Sequence, residues 1–218
     1  MKIAILGTGM VGNTLGTAFI AKGHEVKMGS RTAINERASE WTQANGSYAS
    51  QGTFEDAAQF GDIIFNCTKG EHSLEALSLA GEQNLAGKIL VDIANPLDFS
   101  KGMPPTLTLV NDTSLGETIQ NSFPKTKVIK TLNTLNCSLM VDPDKLANGD
   151  HHIFICGNDL NARHEVKTLL HDNFNWKTEN IIDLGDITNS RGTEQLLPLW
   201  IRLFGTLGTA DFNFKIVK

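Results

Sequence analysis

Tyrosine is nearly missing from this chain: Tyr48 stands alone among 218 residues, and no lysine follows it four positions on. That excludes the Tyr-x-x-x-Lys dyad that short-chain dehydrogenases use for proton transfer. Cysteine is scarce too. Cys67, Cys137 and Cys156 are odd in number and scattered. They read as small buried thiols, not as a disulfide framework or zinc ligands. His151-His152 reads as a surface pair, with no nearby carboxylate or thiol to complete a metal site. No apolar run reaches the roughly 18 residues of a membrane span; Leu196 to Ile201 is the most apolar stretch, interrupted by Pro198 and followed by Arg202. Basic charge is not in excess. Nineteen Lys and Arg against 24 Asp and Glu give a net charge of −5, which argues against a nucleic-acid or anionic-membrane surface. The first residues already read as a strand, so no signal peptide and a cytoplasmic location are expected.

What is present begins at once. Lys2-Ile-Ala-Ile-Leu6 is a short run of strand formers, and Gly7-Thr8-Gly9-Met10-Val11-Gly12 follows as G-x-G-x-x-G. Thr14 to Ala21 then reads as a buried helix with small residues on one side. Strand, glycine turn and helix in that order open a dinucleotide-binding Rossmann unit. Gly7 permits the tight turn, Gly9 lets a pyrophosphate approach the backbone, and Gly12 lets the helix pack on the strand. Free N–H groups at the helix start, with the positive end of its dipole, bind phosphates. After the second strand, where an NAD enzyme places an acid for the ribose hydroxyls, the chain has Ser30-Arg31-Thr32. A carboxylate there would repel a 2′-phosphate, whereas a hydroxyl and a guanidinium hold it. The expected cofactor is therefore NADP(H). In the alternative reading Ser30 only caps a helix starting near Ala33.

Strand and helix signals alternate over the first two-thirds, which implies an α/β fold with a doubly wound parallel sheet. Helices are expected at 33–44, 53–60, 71–80 and 114–122, and strands at 47–49, 62–67, 88–94 and 127–132. Leu97 to Asp112, with Gly102, Pro104 and Pro105, reads as a long loop of the kind that serves as a lid. An NADP-binding domain is expected over 1–136. A small α/β unit over 137–218 should close the site and build a homodimer. Within it, strands are expected at 152–156 and 181–184, helices at 162–171 and 188–204, and strand-like alternation at 212–217.

In such sheets ligands bind beyond the carboxyl ends of the strands. Those ends are Thr68-Lys69-Gly70, Ala94-Asn95-Pro96-Leu97 and Thr131 to Thr134, and none supplies an obvious general acid or base. Lys69 suits a cofactor phosphate or a substrate anion. His72, the only histidine nearby, more often caps or packs in the following helix than catalyses, and is placed with Thr68 and Lys69 among cofactor contacts. Asn95-Pro96 turns the chain against the nicotinamide ribose, with Ala94 beside them. Asn133 both donates and accepts hydrogen bonds, which suits a carboxamide or a substrate carbonyl. Asn133, Leu135 and Arg191 are assigned to the second substrate. No catalytic side chain and no metal are expected; hydride transfer then depends on holding two molecules together in a dry site.

The chain resembles the coenzyme F-420-dependent NADP reductase family, and especially its bacterial dinucleotide-binding relatives. The likeness rests on Gly7 to Gly12, Gly29-Ser-Arg31, Asp62-Ile-Ile-Phe with Glu71-His72, Ile155-Cys-Gly157, Thr188-Asn-Ser-Arg191 and Leu196-Leu-Pro-Leu199. The resemblance implies an NADP-binding Rossmann domain closed by a small C-terminal domain. It also implies a deazaflavin acceptor, coenzyme F-420, stacked on the nicotinamide without an acid or base catalyst. Asn133-Thr-Leu-Asn136 departs from the family's His-Thr-Ile-Pro-like run at the deazaflavin, and Asn35 replaces a basic residue, with Arg37 near. Similar modules in six-transmembrane metalloreductases pass NADPH electrons to flavin, so flavin is a second acceptor class. The alternatives are reduction of a small carbonyl or imine at Asn133, and an NADP(H)-sensing module without turnover.

Overall fold

The computed structural model describes residues 1–218. The first half contains β1 (Lys2–Leu6), α1 (Met10–Ala21), β2 (Glu25–Ser30), α2 (Glu36–Asn45), β3 (Ala49–Thr53), α3 (Phe54–Phe60), β4 (Ile63–Asn66), α4 (Gly70–Ala80), α5 (Glu82–Leu85) and β5 (Ile89–Asp92). A short ribbon, β6 (Leu97–Asp98) and β7 (Thr106–Leu107), leads to α6 (Leu115–Ser122) and β8 (Lys127–Thr131). Then come α7 (Cys137–Val141), β9 (Ile153–Gly157), α8 (Leu160–Phe174), β10 (Ile181–Asp183), α9 (Ser190–Gln195) and α10 (Leu197–Leu207).

Eight strands form one sheet in the order β10-β9-β8-β5-β4-β1-β2-β3. Every pairing is parallel except β8 with β9. The chain starts at an inner strand, runs outward through β2 and β3, then returns to build the other side from β4. The order therefore reverses between β1 and β4, and a crevice opens at their carboxyl ends. Helices cover both faces, so the inner strands are apolar on both sides: β1, β4 and β5 are buried almost throughout. One core packs Phe19, Met28, Trp41, Phe65 and Trp176; the other packs Phe54, Leu77, Leu90 and Phe123.

Several expectations change. The 97–112 stretch is not structureless, because β6 and β7 pair antiparallel in it. The helix expected over 188–204 begins as α9 and restarts as α10. Pro198 stands in the first turn of α10, where its missing N–H costs nothing but cannot continue an existing ladder. Residues 212–217 form no strand; Phe214 accepts a hydrogen bond from the His152 N–H at 2.9 Å. His151 is not on the surface. It is 2% exposed, packs edge-on against Trp176, and its Nε2 lies 3.0 Å from the Pro143 carbonyl. Asn213 Nδ2 donates to His151 Nδ1, which leaves Nε2 as the protonated nitrogen. Beyond Asn136, β9 pairs directly with β8, so the sheet continues across the expected domain boundary. All three cysteines are free, and burial pushes the Cys67 and Cys156 thiols well above the usual range.

Candidate NADP-binding site

The glycine turn is built by sterics. Gly7 has φ +114°, a backbone state that favours glycine, and an added Cβ would lie 2.7 Å from the Cys67 carbonyl. A Cβ on Gly12 would strike the Gly7 carbonyl and sit 3.0 Å from an Ile5 methyl. Gly9 differs: nothing lies within 4 Å of its missing Cβ. It is the N-cap of α1 and offers no side chain to its first N–H groups, which remain free for an anion.

That turn forms one wall of a cavity of about 600 Å³. Gly7, Thr8, Gly9, Ser30, Arg31, Thr68, Lys69 and His72 all line it. They come from the ends of β1, β2 and β4, which the sheet order places side by side. Met10 is 75% exposed and lines an adjoining cavity with Thr8, Gly9, Asn13 and Thr17. Val11 and Gly12 line neither: Val11 packs on the core and Gly12 is buried under Gly7.

Ser30 does not cap a helix at Ala33. Its hydroxyl donates to the Thr32 carbonyl at 2.6 Å. The cap of α2 is Asn35, whose side chain accepts from the Ala38 N–H. Ser30 therefore folds its own turn and leaves Arg31 at the mouth of the cavity. Thr32, Asn35, Arg37, Phe54, Cys67, Glu75 and Ala76 complete the lining. Arg37 carried a readable signal: it lies in the first turn of α2, where the helix dipole disfavours a cation unless an anion sits nearby. Arg31, Arg37 and Lys69 outnumber Glu75, the only carboxylate in the lining, and the ring of His72 lies 3.9 Å from that carboxylate.

A second group sits at the ends of β5 and β8. Ala94 and Pro96 are buried and Asn95 half-buried. Asn95 Nδ2 donates to the Asn133 carbonyl and Asn133 Nδ2 donates to Asn95 Oδ1, both at 2.9 Å. The two amides brace one another. Gly70 fits beneath them: a Cβ there would collide with the Asn95 carbonyl. Leu135 is 7% exposed and belongs to the core. The Arg191 guanidinium is engaged by Glu117, with Nε 2.8 Å from Oε2. Arg191 and the Ser114 hydroxyl hold the Glu117 carboxyl below the usual carboxylate range against the opposing effect of burial.

The pattern of NADP oxidoreductases dependent on coenzyme F420 matches residues 2–96. The crystal structure of a protein of Arthrobacter sp. FB24, assigned as an F420-dependent NADP-reductase, is 54% identical over the full length of both chains, with a TM-score of 0.93. The chain belongs to the F420-dependent NADP oxidoreductase family. It is an NADP-dependent oxidoreductase, and the cradle of Gly9, Ser30, Arg31 and Arg37 fits that cofactor. The metalloreductase STEAP3 of Rattus norvegicus is 30% identical over an alignment of 207 residues that covers 91% of this chain and 38% of that protein. The chain thus spans well under half of this relative. An imine reductase of Myxococcus stipitatus in complex with NADP+ is 17% identical with a TM-score of 0.64, covering 95% of this chain and 64% of the other. That likeness shows the fold alone. No helix is long and apolar enough to cross a membrane.

Proposed function

We propose that this protein transfers hydride between NADP(H) and a planar ring acceptor, a deazaflavin such as coenzyme F420 or a flavin. The observation that carries the reading is the 54% full-length identity to the Arthrobacter protein assigned to that reaction. The chemistry of the strand ends supports it. At the ends of β5 and β8, Ala94, Pro96 and Asn133 are buried and Asn95 half-buried, with the two amides braced on each other, and no acid or base stands among the four. NADPH, when bound, supplies the hydride, and the acceptor takes up a proton from water. The protein's part is to fix the adenosine end with Arg31 and Arg37, seat the pyrophosphate on α1, and align the rings against the two asparagines. Residues 137–218 close the acceptor side, with Arg191 anchoring α9 to α6 through Glu117.

The test is NADPH oxidation in the presence of F420, FMN, FAD and small carbonyls. A ring acceptor should turn over, with a hydride step that changes little between about pH 6 and 8. Turnover of a carbonyl alone, with a steep bell-shaped profile, would contradict the reading.

The same reading includes a homodimer. On α10, Leu199, Phe204 and Leu207 are 49%, 44% and 53% exposed. Trp200 stacks with Phe204 and Phe212 beside them. Two copies related by a twofold axis would cover this face. Light scattering at micromolar concentration should give twice the mass of one chain; a monomer would refute the dimer.

A further inference from the structure

The most deeply buried charge in the protein lies at the carboxyl ends of the strands, beneath the asparagine pair. Lys130 of β8, Asp92 of β5 and Glu194 of α9 have side chains 0%, 0% and 1% exposed. Lys130 Nζ lies 2.8 Å from Asp92 Oδ2 and 2.8 Å from Glu194 Oε1, and donates a third bond to the Ala94 carbonyl. An ammonium has three donors, and all are used. Burial disfavours its charge, but the two carboxylates outweigh burial and hold the Lys130 pKa above its ordinary value.

Both carboxylates are themselves filled. Glu194 accepts the N–H groups of Leu115 and Gly116 at the start of α6. Asp92 Oδ1 accepts Asn66 Nδ2 at 2.8 Å. Asn66 Oδ1 in turn accepts the Thr68 hydroxyl at 2.7 Å, and Thr68 lines the cofactor cavity. An unbroken polar chain runs from α9 through the ends of β8, β5 and β4 to the cavity wall.

A buried ion network is a poor means of stabilisation, since well-packed apolar residues often serve as well or better. Its placement suggests another use. The residue after Ala94 is Asn95, and the residue two past Lys130 is Leu132, a bulky side chain at φ +58°. A branched residue in that region is strained and persists only where its surroundings hold it. Next to it stands Asn133. The bonds of Lys130 therefore pin both strand ends that present the asparagine pair.

We infer that Lys130 is a positioning residue, holding Asn95 and Asn133 in register for the nicotinamide half of the cofactor through Ala94, Asp92 and Glu194. The inference rests on the NADP(H) reading of the site. It also makes α9 part of the site, although Glu194 lies 64 positions beyond Lys130 in sequence.

The test separates the two halves of the cofactor. Full-length Lys130→Met and Glu194→Gln are titrated with NADPH and with 2′,5′-ADP, which carries the adenosine half alone. Nicotinamide fluorescence reports how the ring is seated. Lys130→Met should weaken NADPH about tenfold, the scale of one lost charged hydrogen bond, and reduce the fluorescence change on binding. Binding of 2′,5′-ADP should stay within about twofold. Glu194→Gln keeps the side-chain volume and should move NADPH binding the same way by about threefold, so it decides if Lys130→Met does not fold. Parallel loss of both ligands, or no loss of either, would overturn the inference. If the unmodified chain did not bind 2′,5′-ADP, the cofactor reading would fall, and this inference with it.

Discussion

Gly9→Val should lower affinity for NADPH by about a hundredfold or more. The site of the missing Cβ is open space, so the apo fold has room for the new side chain and the melting temperature should change little. The loss falls on the ligand instead. A valine there occupies the approach to the first N–H groups of α1, which no side chain caps. Losing two charge-assisted bonds, at roughly 1.5–3 kcal/mol each, produces a change of that size. Gly12 offers the contrast. Its Cβ would strike the Gly7 carbonyl, so Gly12→Val should destabilise the whole fold. Calorimetry of ligand binding beside thermal melts distinguishes the two outcomes. A Gly9→Val protein that binds NADPH normally would show that the pyrophosphate lies elsewhere.

Arg31→Ala should erase most of the discrimination between NADPH and NADH. One guanidinium bond to a phosphate contributes roughly 1.5–3 kcal/mol, a factor of about ten to a hundred or more in affinity. Affinity for NADH should hardly move, because no contact assigned to Arg31 involves the rest of the cofactor. Arg37 lines the same cavity and should retain part of the preference. The double substitution Arg31→Ala with Arg37→Ala should therefore leave the two cofactors equal. If the double variant still preferred NADPH strongly, the 2′-phosphate would not lie between these arginines.

The cofactor half of the site was legible because its determinants are local. Gly7, Gly9 and Gly12 fall within six residues, and Ser30-Arg31 follows directly on a recognisable strand. The doubly wound sheet was legible for a related reason: helical and strand periods alternate along the chain. The polar network was not. Nothing in the strand Lys127 to Leu132 singles out Lys130, and its partners lie 38 and 64 positions away. Only a sheet covered on both faces puts that side chain inside. His151 misleads in the same way, since its burial depends on Trp176 and on Asn213 at the far end of the chain. The break between α9 and α10 was signalled by Pro198, but the apolar pattern on either side of it suggested a single helix.

On the proposed reading, the cavity between β1, β2 and β4 seats the 2′-phosphate of NADP(H). Titrating the unmodified protein with NADPH and NADH under identical ionic strength, followed by nicotinamide fluorescence, tests it most directly. NADPH should bind about tenfold to a hundredfold more tightly, with the gap narrowing as salt screens the exposed arginines. Equal dissociation constants for the two would contradict the account.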